Sequence, residues 1–176
     1  QQVDRSKAEA ITRALDKQIN CPLSSGLGRL YDGVAAITGC CVHSLFHAEA
    51  PMRLEAMADP AETGRYETDL ATLSVTPLIS GICDDLKNGV RVPVIAARFH
   101  NTLTWAACAT VQRIHKETGI DKIVLSGGSF QNKILFESIL NTLEKEHFTV
   151  YTHKQVPCND GGLALGQLAV AGWRRG

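Results

Sequence analysis

The sequence predicts an α/β fold, in which alternating strands and helices follow a mostly helical first part. Residues 122–125 form a short β-branched apolar run that is typical of a buried strand, and residues 148–152 form a second one. Between them, apolar residues recur every four positions and predict a helix over residues 133–146. This alternation indicates a parallel βαβ unit, and a last helix is predicted over residues 163–171.

Three helices are predicted in the first 60 residues. Residues 4–18 carry apolar side chains at helical spacing, and Asn20-Cys21-Pro22 ends that helix. The second helix ends at Gly39, and the third covers residues 48–57. The apolar face of the second helix is predicted to consist of Leu27, Leu30, Val34 and Ile37.

The segment that leads to the first predicted strand contains two further helices. Residues 69–75 are predicted to form an additional strand. Thr76 is the expected N-cap of a helix that continues to Asn88-Gly89, with Pro77 at its first position. The longest helix is predicted over residues 93–118, with Gly119 as its end.

Composition narrows the class of protein. The chain has 176 residues, which fits one domain or a large piece of one, and 18 basic residues balance 18 acidic ones. This balance favours neither a nucleic-acid partner nor a membrane surface, and no apolar run reaches membrane-spanning length. A signal peptide is not expected from the first residues. The six cysteines contain no Cys-x-x-Cys pair, so buried thiols in a reducing cytoplasm are expected. A chain that opens on Gln1-Gln2 is expected to be part of a longer protein.

The turn Ser126-Gly127-Gly128 joins the first predicted strand to the following helix. Two glycines allow positive φ and let a ligand approach the main chain closely. The helix that follows offers unpaired N–H groups and the positive end of its dipole, which together suit a phosphate group. An ordinary strand-to-helix turn explains the same residues, and this stretch alone leaves both interpretations open.

A second loop, over residues 157–162, has the same position between a strand and a helix. Because ligands bind beyond the carboxyl ends of strands in open α/β sheets, both loops are expected at one edge of the sheet. Asp160 would then lie near a phosphate at Gly127 and Gly128, with a divalent metal between them. A simple turn with a helix N-cap within residues 159–162 remains the alternative.

Three other groups invite a chemical interpretation. His43 and His47 have the i, i+4 spacing of a helical metal pair, although two surface histidines explain them more simply. His100 is predicted to line a cleft or to be satisfied within its helix. Cys158 has no histidine placed by sequence to activate it, so a bystander thiol is the simpler interpretation.

Taken together, the motifs resemble the C-terminal part of the HypF carbamoyltransferases, a family of hydrogenase maturation factors. The matching stretches occur in the family's order and are spread over most of the chain. They are PLSSGLGRLYDGVAA (22–36), EAPMRLE (49–55), ARFHNTL (97–103), LSGGSFQN (125–132) and PCNDGGLALG (157–166).

The resemblance implies the second lobe of an actin-like, sugar-kinase-like ATPase fold, with residues 1–176 as one lobe. In the family, an upstream domain makes carbamoyl adenylate from carbamoyl phosphate and ATP. The lobe pair then transfers the carbamoyl group to the C-terminal cysteine of the partner HypE, for the cyanide ligand of [NiFe] hydrogenase. A kinase-like lobe or a non-catalytic nucleotide-binding lobe of the same fold is the alternative.

The resemblance also implies roles for individual residues. The nucleotide-binding candidates are Gly28, Asp32, Gly127, Gly128 and Asn132, with Ser25, His100 and Asn159 as further lining of the cleft. Asp160 matches an acidic metal ligand, and upstream histidines absent from this chain would complete a site for iron or zinc rather than magnesium. His43 and His47 lie at the wrong place to be the family's histidine pair.

Overall fold

A 27-residue helix, α5 (Val92–Thr118), forms the centre of the molecule, of which the computed structural model describes residues 4–174. Four helices precede α5, and a two-stranded sheet with two further helices follows it. The preceding helices are α1 (Arg5–Asp16), α2 (Leu27–Ile37), α3 (Glu49–Met57) and α4 (Thr76–Lys87). The following elements are β1 (Lys122–Leu125), α6 (Lys133–Lys145), β2 (Thr149–Thr152) and α7 (Leu163–Trp173).

The predicted βαβ unit is confirmed. Strands β1 and β2 pair in parallel, with Lys122 opposite Thr149 and Leu125 opposite Thr152. Gly119 ends α5 with φ +74°, which is a conformation that glycine adopts without strain. The alternation of strand, helix, strand and helix after residue 120 therefore follows the sequence pattern closely.

Helix α5 separates two hydrophobic clusters. The first lies among α2, α3, α4 and α5 and includes Leu54, Ile82 and Phe99, which are fully buried. The second lies among α5, β1, α6 and β2 and includes Cys108 and Leu143. Because α5 contributes side chains to both, it fixes the helical half of the chain against the sheet half.

Two predictions for the helical half were wrong in detail. Residues 69–75 form a turn with one isolated bridge rather than a strand, because the Asp69 carboxylate accepts the Ala71 N–H at 2.8 Å and the Thr72 hydroxyl at 2.6 Å. Thr76 is the first residue of α4 and not its cap, since Val75 holds the capping position.

The buried face of α2 also differs from the predicted one. Tyr31, Val34 and Ala35 are buried, whereas Ile37 is 42% exposed. The predicted face used only aliphatic residues and so left out Tyr31, which packs between α3 and α5 as part of the first cluster.

Large apolar surfaces stay uncovered in the described chain. Helix α7 has no buried residue, with Leu168 at 69% and Trp173 at 85% exposure. The partnered residues Val124 and Tyr151 are also exposed on the sheet. Within residues 4–174, no helix has the length and apolar character needed to cross a bilayer.

Candidate functional site

The two glycine-containing loops lie side by side at the carboxyl ends of β1 and β2. Gly127 has φ +110°, which only glycine adopts readily, and its N–H donates to the Cys158 carbonyl at 2.8 Å. A 3-10 turn, Gly128–Gln131, then leads to α6, and a second one, Asp160–Gly162, leads to α7. The expected adjacency of the loops is therefore confirmed.

The start of α6 is not free to bind a phosphate group, because its first N–H groups already have acceptors. The Glu55 carboxylate of α3 accepts the N–H groups of Lys133 at 2.6 Å and Ile134 at 3.2 Å. The Asn132 side chain accepts the Leu135 N–H at 2.8 Å. These two side chains satisfy the first donors of the helix and occupy the positive end of its dipole.

Unpaired N–H groups remain in the glycine turn itself. Within residues 4–174, the N–H groups of Gly128 and Ser129 make no hydrogen bond. A Cβ atom added to Gly128 would meet only Asn159, at 3.9 Å, so the main chain there is open to an approaching group. An anion is consequently better accommodated at Gly128 and Ser129 than at α6.

A cavity of about 860 Å³ brings the predicted residues together, and we call it the interhelical cavity. It lies between α2, α3 and the two loops. The predicted site residues that line it are Gly28, Asp32, Gly128, Asn132, Asn159 and Asp160. Residues more than 90 positions apart in the chain therefore share one space of the size that small ligands occupy.

The remaining predicted residues lie around this cavity rather than in its lining. Gly127 lines an adjoining cavity of about 870 Å³, the sheet-edge cavity, which shares Gly128, Asn159 and Asp160 with the first. Ser25 lines a third cavity near α4. His100 is fully buried behind the interhelical cavity.

His100 holds Asn132 in place. Its Nδ1 lies 2.7 Å from the Ala96 carbonyl, and its Nε2 lies 3.1 Å from the Asn132 amide nitrogen. Burial lowers the pKa of His100, so the neutral ring donates through Nδ1 and accepts through Nε2. Of the two predicted roles for His100, the structure favours a satisfied helix histidine that orients a cavity residue.

The charged groups of the interhelical cavity are mostly acidic. Asp32 pairs with Arg29 at 2.9 Å on the surface of α2, while Glu55 and Asp160 lie on the α3 side and the loop side. Asp160 is exposed, and Asn159 caps its turn by accepting the Gly161 N–H at 3.0 Å. A ligand must therefore bring its own positive charge, or place its neutral parts near Glu55.

A complete metal site is absent from the part of the chain that the structure describes. No three side chains of His, Cys, Asp or Glu lie close enough together to hold an ion there. His43 and His47 lie in an exposed, non-helical segment, so their spacing is not that of a helical pair. Asp160 can supply one carboxylate, which is fewer ligands than a transition-metal site needs.

Glu55, Tyr31 and His153 are site residues that sequence reasoning missed. Glu55 contacts α6 across 78 positions of sequence, which no local pattern reveals. His153 binds Ser126 at 2.8 Å at the sheet edge, where Cys158 is half-buried in the lining of the same cavity. The helical spacing of α2 could have revealed Tyr31, because it lies four positions after Leu27 and three positions before Val34 on the same helix face.

Known proteins share this sequence and architecture. Residues 1–167 match the family described as "Carbamoyltransferase, Kae1-like Domain, second subdomain". The carbamoyltransferase HypF of Rhodobacter capsulatus is 38% identical over 162 residues, which cover 88% of this chain and 20% of that protein. HypF of Synechocystis is 34% identical over 164 residues, covering 89% and 20%.

A solved structure agrees over nearly the whole chain. The crystal structure of full-length HypF in the phosphate- and nucleotide-bound form has a TM-score of 0.86 and 37% identity to this chain. The match covers 97% of this chain and 28% of that one. The fold is therefore that of the second subdomain of a carbamoyltransferase. The chain belongs to the HypF family, and it spans about a fifth of the length of the two HypF relatives named above.

Proposed function

We propose that this chain binds the adenylate part of carbamoyl adenylate in the interhelical cavity, as one lobe of a HypF-type carbamoyltransferase. One observation carries the proposal: Gly28 and Asp32 on α2 line the same cavity as Gly128 and Asn132 of the glycine turn. In support, the 37% identical HypF was solved in a phosphate- and nucleotide-bound form.

The charges of the cavity suggest which way the adenylate lies. The open N–H groups of Gly128 and Ser129 suit its phosphate. Glu55 repels a phosphate, so the α2–α3 end suits the uncharged nucleoside. Asp32 and Arg29 then lie near the ribose, where their exposed ion pair is weak enough to exchange partners.

The reaction that we propose for the whole enzyme is the one that the resemblance to the HypF family implies. An upstream domain makes carbamoyl adenylate from carbamoyl phosphate and ATP in the cytoplasm. The terminal thiolate of HypE attacks the carbamoyl carbon, a C–S bond forms, and AMP leaves as the C–O bond breaks. This lobe holds the leaving group in one orientation, which lowers the entropic part of the barrier.

Asp160 is proposed as one ligand of a divalent ion, iron or zinc rather than magnesium, with the other ligands from upstream histidines. The described residues provide one carboxylate of such a site and not the site itself. We propose that this lobe therefore binds and orients the nucleotide and supplies one ligand of the ion.

The site is tested with three valine variants of the intact enzyme, measured by calorimetric titration with AMP. Gly28→Val and Gly128→Val place side chains in the interhelical cavity, and both positions have room for the new Cβ atom. We expect each to raise the Kd for AMP at least tenfold because the side chain blocks close approach of the ligand.

Gly33→Val is the matched control, because Gly33 lies on the same helix with equal room but outside the cavity lining. It should lose helix stability as Gly28→Val does, yet keep the wild-type Kd. Well-folded Gly28→Val and Gly128→Val proteins that bind AMP like the wild type would reject the site.

A further inference from the structure

The hydroxyl of Tyr31 has no hydrogen-bond partner, although it is buried. Tyr31 is 2% exposed, and within residues 4–174 its hydroxyl is one of two buried side-chain polar atoms without a partner. Buried polar groups are nearly always paired, because leaving one unpaired is energetically costly. The other buried tyrosine, Tyr66, follows this rule by donating to Asp85 at 2.7 Å.

Tyr31 is also held rigidly. Its ring packs edge-to-face against Phe99, with centroids 4.9 Å apart, and against His100 at 5.4 Å. Tyr31 belongs to the lining of the interhelical cavity, between Gly28 and Asp32 of the same helix. The unpaired, enclosed hydroxyl is thus carried by the fixed ring of a residue that lines the proposed ligand site.

The polar neighbours of Tyr31 are already engaged elsewhere. The Asn132 amide donates to His100 and accepts from Leu135, and the Glu55 carboxylate accepts two N–H groups of α6. Burial and the nearby charge of Glu55 both raise the pKa of the Tyr31 hydroxyl. The hydroxyl consequently keeps its proton at neutral pH and is available as a donor.

We infer that the Tyr31 hydroxyl donates a hydrogen bond to an uncharged nitrogen or oxygen of the bound nucleoside, so that Tyr31 helps to select nucleotides. This inference rests on the proposed function of the cavity. The acceptor belongs to the nucleoside rather than to the phosphate, because the carboxylate of Glu55 is close enough to act on the Tyr31 hydroxyl and repels anions.

The test compares Tyr31→Phe with Tyr66→Phe in the intact enzyme, by titration with AMP and by thermal unfolding without ligand. Both changes remove one oxygen from a buried tyrosine. Tyr31→Phe should raise the Kd about tenfold, as expected for one lost hydrogen bond, and should leave the Tm unchanged or higher. Tyr66→Phe should show the reverse, with a lower Tm and an unchanged Kd.

AMP could also bind at a second site elsewhere in the enzyme. Gly128→Val distinguishes the two sites, because binding at a second site persists in that variant while binding in the interhelical cavity is lost. The acceptor is then identified with AMP analogues that each lack one acceptor of the base or the ribose. For one analogue, the wild type and Tyr31→Phe should bind equally, because the group that Tyr31 contacts is already missing.

The outcomes separate the inference from the proposed function. If the wild type does not bind AMP, or if Gly128→Val binds AMP as the wild type does, the proposed function fails and the inference fails with it. If the wild type binds AMP and Tyr31→Phe binds it within twofold, only the inference is overturned. A tenfold loss that persists with every analogue would mean that the hydroxyl acts through packing, which also overturns the inference.

Discussion

Asn132 shows how one buried side chain can connect the frame of the protein to its site. The amide oxygen caps α6 through Leu135, and the amide nitrogen meets His100 of α5. Both groups of the amide are therefore committed, and the orientation of Asn132 in the cavity is fixed. Asn132 is 8% exposed, so a ligand in the cavity can reach only the small part of its side chain that the protein leaves uncovered.

At the same scale, Asp160→Ala in the intact enzyme should lower the metal content, measured by mass spectrometry of the purified protein. The carboxylate is exposed and makes no hydrogen bond with any described residue, so folding should not depend on it. Asp121→Ala is the control, an exposed aspartate before β1 at the opposite end of the strand. Unchanged metal stoichiometry in folded Asp160→Ala would exclude Asp160 as a ligand.

The sequence was informative about single residues where the local pattern decides their role. The turn at Gly127 and a cap in the second loop were among the alternatives that the sequence offered, because neighbouring residues in the chain determine both features. The role of Glu55 could not be predicted, because its partner helix lies about 80 residues away. The occupied start of α6 has the same cause, since a distant carboxylate took the place that local reasoning left to a ligand.

Among the elements, the contact between α3 and α6 determines the shape of the site. Helix α3 lines one wall of the interhelical cavity, while its Glu55 holds the first turn of α6. Because the glycine turn ends where α6 begins, this contact also fixes the distance from Gly128 to α2 and α3. The predicted helix positions were correct here, but their mutual arrangement depends on long-range contacts.

Glu55→Ala should lower the free energy of unfolding by about 1–3 kcal/mol, because two N–H donors lose a charged acceptor. Glu55→Gln retains an acceptor without the charge and should lose less. The free energy of unfolding is measured by urea denaturation of the wild type, both Glu55 variants and the control. The exposed Glu117→Ala on α5 is the control and should stay within about 0.5 kcal/mol of the wild type. Equal stability of Glu55→Ala and Glu117→Ala would show that the contact contributes nothing.

At the scale of the whole molecule, the described chain looks like one side of a larger structure. Helix α7 is apolar and fully uncovered, and the sheet has two strands with Val124 and Tyr151 exposed. Apolar patches of this kind mark surfaces that another part of a protein covers. The family description as a second subdomain agrees with this arrangement.

We therefore expect no carbamoyl transfer by this chain alone. The described residues hold the proposed adenylate cavity and a single metal-ligand candidate, whereas transfer needs donor and acceptor fixed in one geometry. The assay supplies preformed carbamoyl adenylate and HypE, with and without the upstream lobe added in trans. Carbamoylation of HypE should require the added lobe, and robust transfer without it would contradict the two-lobe proposal.

The hydrogen bond from the Gly127 N–H to the Cys158 carbonyl restricts which substitutions the two loops can accept during evolution. It joins two loops through main-chain atoms only, so replacing the thiol of Cys158 leaves the bond intact. Position 127 has no such freedom, because a side chain at φ +110° is strained and proline has no N–H to donate. Substitutions can therefore change the side chains of the second loop, while the distance between the two loops stays the same.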